Sequence, residues 1–160
     1  MSSRRLVQVA TLSAFVAASA PFAAAHDMDG PVSFGVPGSA AMVNRTVAIT
    51  MNDMSFAPNA LSLAAGDTVR FVITNRSEID HEFALGDAKS QAMHRRMMAA
   101  MAKNGMAMHH HDANVVAVAA GQTVELIWHF TAAGQYEFDC NVPGHYEAGM
   151  KGMITVGPKA

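Results

Sequence analysis

The amino-acid sequence is poor in cysteine and in charge. One cysteine occurs among the 160 residues, so no disulfide can form within the chain. Charged residues make up 15% of the sequence, whereas about 25% is usual for soluble domains. The formal net charge is −2, so the balance of charge gives no basic surface for nucleic acid. These deficits exclude a disulfide-stabilised scaffold and argue against a nucleic-acid partner.

Metal-ligating side chains, in contrast, are plentiful. The sequence contains 13 methionines and 8 histidines. Thioether ligands favour Cu(I), and imidazole ligands suit copper in both oxidation states. The composition therefore directs attention to copper.

The first 25 residues are typical of a secretory signal peptide. Arg4 and Arg5 supply a basic start, residues 6–18 are mostly apolar, and residues 23–25 are small, as a cleavage site requires. We predict cleavage before His26, export to the periplasm, and no stable membrane insertion of the mature protein, because the apolar stretch is short and carries polar residues. A membrane anchor is the alternative, and the paired arginines do not decide between general and twin-arginine export.

The rest of the chain predicts one all-β domain. Residues 26–44 are rich in glycine and proline and are predicted to form a flexible lead-in. Residues 45–160 contain short β-rich segments separated by turns, which is the pattern of an antiparallel sandwich or barrel. The predicted strands cover residues 46–51, 68–74, 81–85, 115–119, 123–130, 135–140 and 152–156.

A helical insertion interrupts the strands at about residues 88–112. Residues 89–108 contain strong helix formers and no proline, and Gly105 is suited to end a helix. Met93, Met97 and Met101 recur every four residues, so they share one face of that helix. This spacing favours a helix whose methionines pack against the sandwich.

A cluster of soft ligands near the C-terminus indicates a metal site. Cys140, His145 and Met150 follow the spacing Cys-x4-His-x4-Met, and His81 lies at a neighbouring strand connection. Two imidazoles, a thiolate and a distant thioether form the ligand set of a mononuclear blue-copper site. Zinc is the competing metal, but a thioether is a poor zinc ligand. A cysteine that is only a small buried apolar residue is the simplest alternative.

These residues also carry a resemblance to a known family. Residues 80–83 (Asp-His-Glu-Phe) together with residues 140–150 resemble the cupredoxins, the plastocyanin- and azurin-like blue copper proteins, over roughly residues 45–156. The run from Pro143 to Met150 is most similar to small periplasmic cupredoxins associated with bacterial copper resistance. The resemblance implies a Greek-key β-sandwich with one type-1 copper site near one end. It also implies that the copper ligands are His81, Cys140, His145 and Met150.

Three polar residues flank the implied ligands. Glu82 departs from azurin and plastocyanin, in which a smaller polar residue commonly follows the first histidine. Asp80 and Asn141 are predicted to form hydrogen bonds that tie the ligand loops together. Such outer contacts tune the colour and the reduction potential of a copper centre.

The insertion is also a possible second copper region, and two interpretations stay open. Six methionines and four histidines occur between residues 93 and 111. One interpretation is a labile copper site formed by Met106, Met108, His109, His110 and His111. The other is a packed methionine face followed by a solvated histidine loop.

The predicted function is copper tolerance or copper handling in the periplasm. The alternative is a dedicated electron-transfer protein that shuttles one electron between redox partners. Copper ions are the predicted ligand, and a redox partner or a copper-transport protein is the predicted macromolecular partner. No enzymatic activity is expected, because four protein ligands leave no open coordination position for a substrate.

Overall fold

The computed structural model describes residues 32–106 and 112–159. These residues form ten strands, a short 3-10 helix and one α-helix. The strands are β1 (Gly35–Pro37), β2 (Arg45–Asn52), β3 (Ser55–Ala57), β4 (Ala60–Ala64), β5 (Thr68–Asn75), β6 (His81–Gly86), β7 (Val115–Val118), β8 (Thr123–Phe130), β9 (Gly134–Asp139) and β10 (Lys151–Gly157). The helices are the 3-10 helix (Ala40–Met42) and α1 (Ala88–Lys103). All seven predicted strands and the helical insertion are confirmed.

The strands form two five-stranded sheets that enclose one hydrophobic core. Their orders are β1-β8-β5-β2-β3 and β4-β10-β9-β6-β7. Aromatic rings meet between the sheets: Phe71 and Phe83 lie 5.4 Å apart by ring centroids, and Phe56 and Phe138 lie 5.2 Å apart. Offset and edge-on ring pairs of this kind add stability beyond the apolar area that they bury. The predicted β-sandwich is therefore confirmed.

The sandwich was predicted to be antiparallel, but two of its strand pairs are parallel. β2 pairs with β5, and β4 pairs with β10, in parallel registers. Between β2 and β5 the chain crosses to the other sheet to form β4, and such a crossover is what a parallel pair requires. The alternation of apolar residues shows which face of a strand is buried, but it carries no information about strand direction.

Residues 26–44 were predicted to form a flexible lead-in, but the chain joins the sandwich within this segment. β1 pairs with β8, and Phe34, which precedes β1, is 1% exposed. The Phe34 ring lies 5.4 Å from that of Trp128 and 5.1 Å from that of Tyr136. Burial of one such side chain contributes about 1.5–3 kcal/mol toward the entropic cost of ordering this segment. The lead-in prediction was wrong for this part of the segment.

α1 packs on the sandwich through a different methionine from those predicted. It begins after Asp87, whose side chain accepts a hydrogen bond of 2.7 Å from the backbone N–H of Ser90, and Gly105 follows its end with φ of +63°. Its buried residues are Gln91 and Met98. Met93 is 50% exposed, so the predicted packing was wrong for this residue, whereas Met97 and Met101 are partly buried. Among the described residues, no helix has the length and apolarity that a bilayer crossing requires.

We predict that Gly152→Ala destabilises the sandwich, whereas Gly157→Ala in the same strand does not. A methyl group at Gly152 would overlap the ring of Phe138, but one at Gly157 meets nothing closer than the Leu63 carbonyl oxygen at 3.7 Å. Overpacking of this kind costs about 1–3 kcal/mol. Urea unfolding of the two metal-free variants measures the difference, and equal midpoints would contradict the packing described.

Candidate metal centre

The predicted ligands converge because the ends of three neighbouring strands meet at one end of a sheet. His81 begins β6, Cys140 follows the last residue of β9, and Met150 precedes β10. β6 and β9 pair with Ala84 opposite Asp139, so the start of β6 lies beside the chain that follows β9. The hydrogen bonds of the sheet therefore bring together ligands that are far apart in sequence.

Three ligand atoms lie within bonding range of a common point. The Nδ1 atoms of His81 and His145 are 3.2 Å apart, and the Cys140 Sγ lies 3.3 Å from the His145 Nδ1 and 3.8 Å from the His81 Nδ1. His81 and Cys140 are buried, whereas His145 is partly exposed. The two imidazoles and the thiol thus form one compact N2S donor set.

Met150 closes the loop that carries two of these ligands. Its backbone N–H donates to the His145 carbonyl at 3.0 Å, and its own carbonyl accepts from the Cys140 N–H at 3.1 Å. Gly144 and Gly149 have φ of +90° and +107°, which side chains rarely adopt, so the loop turns at these positions. The Met150 side chain is fully buried. Its assignment as the axial ligand stays a prediction.

The His81 ring is oriented by residues that the sequence analysis missed. Its Nε2 lies 2.8 Å from the Ser77 Oγ, which leaves Nδ1 on the side of the other two ligands. Asn75 accepts hydrogen bonds from the Ser77 backbone N–H (2.9 Å) and hydroxyl (2.8 Å), and it donates to the Val118 carbonyl at 2.9 Å. An asparagine two residues before a serine at a strand end is an Asx-turn signal, and this signal was available in the sequence.

Burial shifts the pKa of each of the three clustered ligands toward its neutral form. Burial raises the pKa of the Cys140 thiol to about 11, although hydrogen bonds from the backbone of Glu82 and Val142 oppose the shift. Burial also lowers the pKa of His145, and burial and then the neighbouring His145 lower the pKa of His81. The metal-free centre therefore holds two neutral imidazoles and a protonated thiol at neutral pH.

Two of the three predicted flanking residues adjoin the ligands. The Glu82 N–H lies 3.3 Å from the Cys140 Sγ, and the Glu82 carboxylate accepts from the Asn141 side chain at 3.3 Å. Asn141 also donates to the Gln91 side chain of α1 at 2.9 Å. Asp80 instead accepts from the Ala120 N–H at 3.0 Å, so it fixes the turn after β7.

α1 also braces the ligand loop through Arg95. The Arg95 guanidinium donates to Asp139 at 2.8 Å and stacks over the Tyr146 ring with its carbon 3.6 Å from the centroid. Burial and then the Glu137 charge raise the pKa of Asp139 to about 7, and Arg95 opposes that shift. Asp139 precedes Cys140, and Tyr146 follows His145. The helical insertion therefore contacts the loop that carries these ligands at two points.

Comparison with known proteins places the chain in a family. The pattern of the copper-binding proteins of the plastocyanin/azurin family matches residues 43–157. The chain belongs to this family. The copper-resistant cuproprotein CopI of Pseudomonas aeruginosa is 38% identical to it over 185 residues, which cover 99% of this chain and 100% of that protein. The protein of the same name from Rubrivivax gelatinosus is 47% identical over 133 residues, 82% of this chain and 77% of that protein.

A solved structure shows the same fold. Auracyanin B superimposes with a TM-score of 0.63 at 27% identity, covering 80% of this chain and 97% of that chain. The predicted cupredoxin resemblance is confirmed.

The donor set fits the copper that this family binds. A first-row metal lies about 2.0–2.3 Å from nitrogen and thiolate ligands, so ligands of one ion lie no more than about 4.6 Å apart. The three measured separations, 3.2, 3.3 and 3.8 Å, satisfy this limit. Two histidines and a cysteine with a weak axial methionine are the donors of a type-1 copper site. His81, Cys140 and His145 are the residues positioned to hold copper here.

The predicted secondary copper residues lie mostly outside the described part of the chain. Met106 follows α1 and is 52% exposed. Met108, His109, His110 and His111 lie outside the described residues. Their contact with copper stays a prediction.

We predict that Ser77→Ala weakens copper binding without unfolding the protein. The substitution removes the hydrogen bond that orients His81, and loss of such an outer contact typically costs about 10–100-fold in metal affinity. Competition titration with a copper chelator measures the change. Ser62→Ala, at an exposed position in β4, is the matched control. Equal affinities for the two variants would show that Ser77 does not position the ligand.

We also predict that copper uptake releases a proton from Cys140. A thiol with a pKa of about 11 is protonated at neutral pH, and copper binds the thiolate. Both imidazole pKa values are lowered, so the thiol is the main source of the proton. Raising the pH then strengthens binding by about tenfold per unit near neutrality. A pH-stat titration measures the release, and Cys140→Ser is the control. Release of no proton by the unsubstituted protein would exclude thiolate ligation.

Proposed function

We propose that this protein is an exported copper-tolerance protein that binds copper at His81, Cys140, His145 and Met150. The observation that carries the proposal is the likeness to a copper-resistant cuproprotein at 38% identity across 99% of this chain. The compact N2S donor set of the site supports it independently. In this function the protein buffers copper or passes it to a copper-transport protein.

The proposed location is the periplasm. The pattern of residues 1–25 supports export, and the relatives named for copper resistance match the chain along most of its length. We further propose that the protein binds copper without catalysing a reaction on a substrate. Four protein ligands around one ion would leave no position for substrate coordination.

A dedicated electron carrier is the second candidate, and the rigidity of the site favours it. His81 is held by a hydrogen bond between its Nε2 and the Ser77 Oγ, and Cys140 is held by a hydrogen bond from the Glu82 backbone. A centre whose ligands are fixed in this way reorganises little when it gains or loses an electron. This function would require a redox partner that approaches the partly exposed His145.

A growth experiment tests the first candidate. We expect a strain that lacks the gene to lose copper tolerance, because the centre that buffers copper is missing. Unsubstituted protein and Ser62→Ala should restore growth across graded copper concentrations, whereas Cys140→Ser should not. Full rescue by Cys140→Ser would show that the type-1 centre is not the basis of tolerance.

A copper titration of the mature protein separates the two candidates. One tightly bound equivalent is expected of an electron carrier. Several equivalents of graded affinity are expected of a copper-handling protein, because the methionines and histidines of the insertion add sites.

A further inference from the structure

Tyr146 lies between two cationic side chains. It follows the predicted ligand His145 on the loop after β9. The carbon of the Arg95 guanidinium lies 3.6 Å from the centre of the Tyr146 ring, and the Lys151 Nζ lies 4.6 Å from it. Both distances are within the roughly 6 Å range of cation–π attraction. The ring lines two surface clefts, one shared with Arg95 and the other with Lys151, so the two cations approach it from different sides.

We propose that Tyr146 is a positioning residue that sets the rate at which copper enters and leaves the centre. Its ring, held between Arg95 and Lys151, keeps the loop that carries His145 closed. We call Arg95, Tyr146 and Lys151 the aromatic clamp. The inference rests on the proposed copper-handling function, in which copper has to be passed on, and it concerns the rate of that step.

Copper exchange has to begin at His145. The side chains of His81, Cys140 and Met150 are buried, whereas His145 is partly exposed. An incoming donor or acceptor of copper therefore reaches the ion on the side of His145. For an incoming ligand to take a coordination position there, the His145 imidazole has to move aside, and its backbone has to move with it.

The loop is built to move as one short segment. Gly144 and Gly149 bracket it with φ of +90° and +107°, and glycine absorbs backbone rotation at such positions without a steric cost. The N–H groups of Ala148 and Gly149 donate to the carbonyls of Gly144 and Tyr146 at 3.1 and 3.0 Å. These hydrogen bonds lie inside the segment, so they can persist while it moves. The clefts on the two sides of the ring, each of about 260 Å³, leave room for Tyr146 to leave the clamp.

The clamp acts on the rate of exchange instead of on the affinity. Its contacts join a guanidinium, an ammonium and a phenol ring, and none of these groups is a copper ligand. The closed loop therefore makes the same contacts with and without copper. A contact of equal free energy in both end states shifts no equilibrium. It has to be broken in the open state through which copper passes, so uptake and release are slowed by the same factor.

Asp139 keeps both cations near the ring. Arg95 donates to it at 2.8 Å, and Lys151 stands opposite it in the register of β9 and β10. Asp139 is fully buried, so a variant that lacks Arg95 would leave a buried carboxylate without its cation and would be strongly destabilised. The ring and Lys151 are the parts of the clamp that can be changed while the fold is kept.

Loss of copper(II) to excess EDTA measures the release rate. The thiolate-to-copper absorption of the oxidised protein reports on the type-1 centre alone, and its decay is recorded at saturating chelator. We expect Tyr146→Leu to release copper about tenfold faster, because leucine fills space but offers no ring to the cations. Tyr146→Phe keeps the ring, so its rate should stay within about twofold of that of the unsubstituted protein.

Lys151→Met tests one side of the clamp. We expect about threefold faster release, because one of the two cations is lost. Lys89→Met removes the same charge from an exposed position of α1 and is the matched control, with a rate within about twofold of the unsubstituted protein. Equal rates for Tyr146→Leu and Tyr146→Phe, or for Lys151→Met and Lys89→Met, would overturn the proposal.

The equilibrium affinity separates control of the rate from simple support of the site. Competition titration should give copper affinities within about twofold of one another for all these variants. Metal-free Tyr146→Leu should take up copper(II) about tenfold faster than the unsubstituted protein. A weaker affinity with an unchanged uptake rate would show that Tyr146 only stabilises the closed centre, and would refute the proposal. That outcome would leave the copper-tolerance function standing, because the growth experiment with Cys140→Ser tests it separately.

Discussion

The pairing of β6 with β9 is the constraint on which the copper centre depends. It sets Ala84 opposite Asp139, and thereby brings His81 beside Cys140, although 59 residues separate them in the chain. The Glu82 N–H, at the edge of this pairing, points at the Cys140 Sγ instead of a carbonyl. A backbone donor fixed by a sheet cannot move away from the sulfur without breaking the sheet. The geometry of the first two ligands is therefore a property of the fold.

The helical insertion adds a second support to the same loop. Gln91, His94 and Arg95 stand at positions i, i+3 and i+4 of α1, so they share one face of the helix. They contact Asn141, Glu82 and Asp139 in that order. Asp139 is fully buried, and a buried carboxylate that loses its cation is strongly destabilising. The Arg95 contact therefore matters more for keeping the loop in place than an exposed ion pair would. The insertion therefore supports the loop that carries the copper ligands.

The ligand set was predictable because its chemistry is concentrated in one short segment. Cys140, His145 and Met150 lie within eleven residues, and apolar alternation marks the long strands on either side. The strands β1 and β3 were missed because three residues give too few alternations to count. β4 was missed because it begins and ends with alanine, which is uncommon in strands. The sequence also did not show which methionine of α1 packs on the sandwich, because Met93, Met97 and Met98 fit helical spacing almost equally well. The relative position of α1 and the sheet decides between them, and that position is set by long-range contacts.

The three clustered ligands are uncharged in the metal-free protein, which explains how their ligand atoms can be buried within 3.8 Å of one another. Two neutral imidazoles and a protonated thiol place no net charge in the interior, so the metal-free fold avoids the desolvation cost of an isolated buried ion. Copper bound to the thiolate in place of the proton would give a neutral centre as Cu(I) and a centre with one positive charge as Cu(II). The buried carboxylates of Glu82 and Asp139 adjoin Cys140, so they are placed to offset that charge.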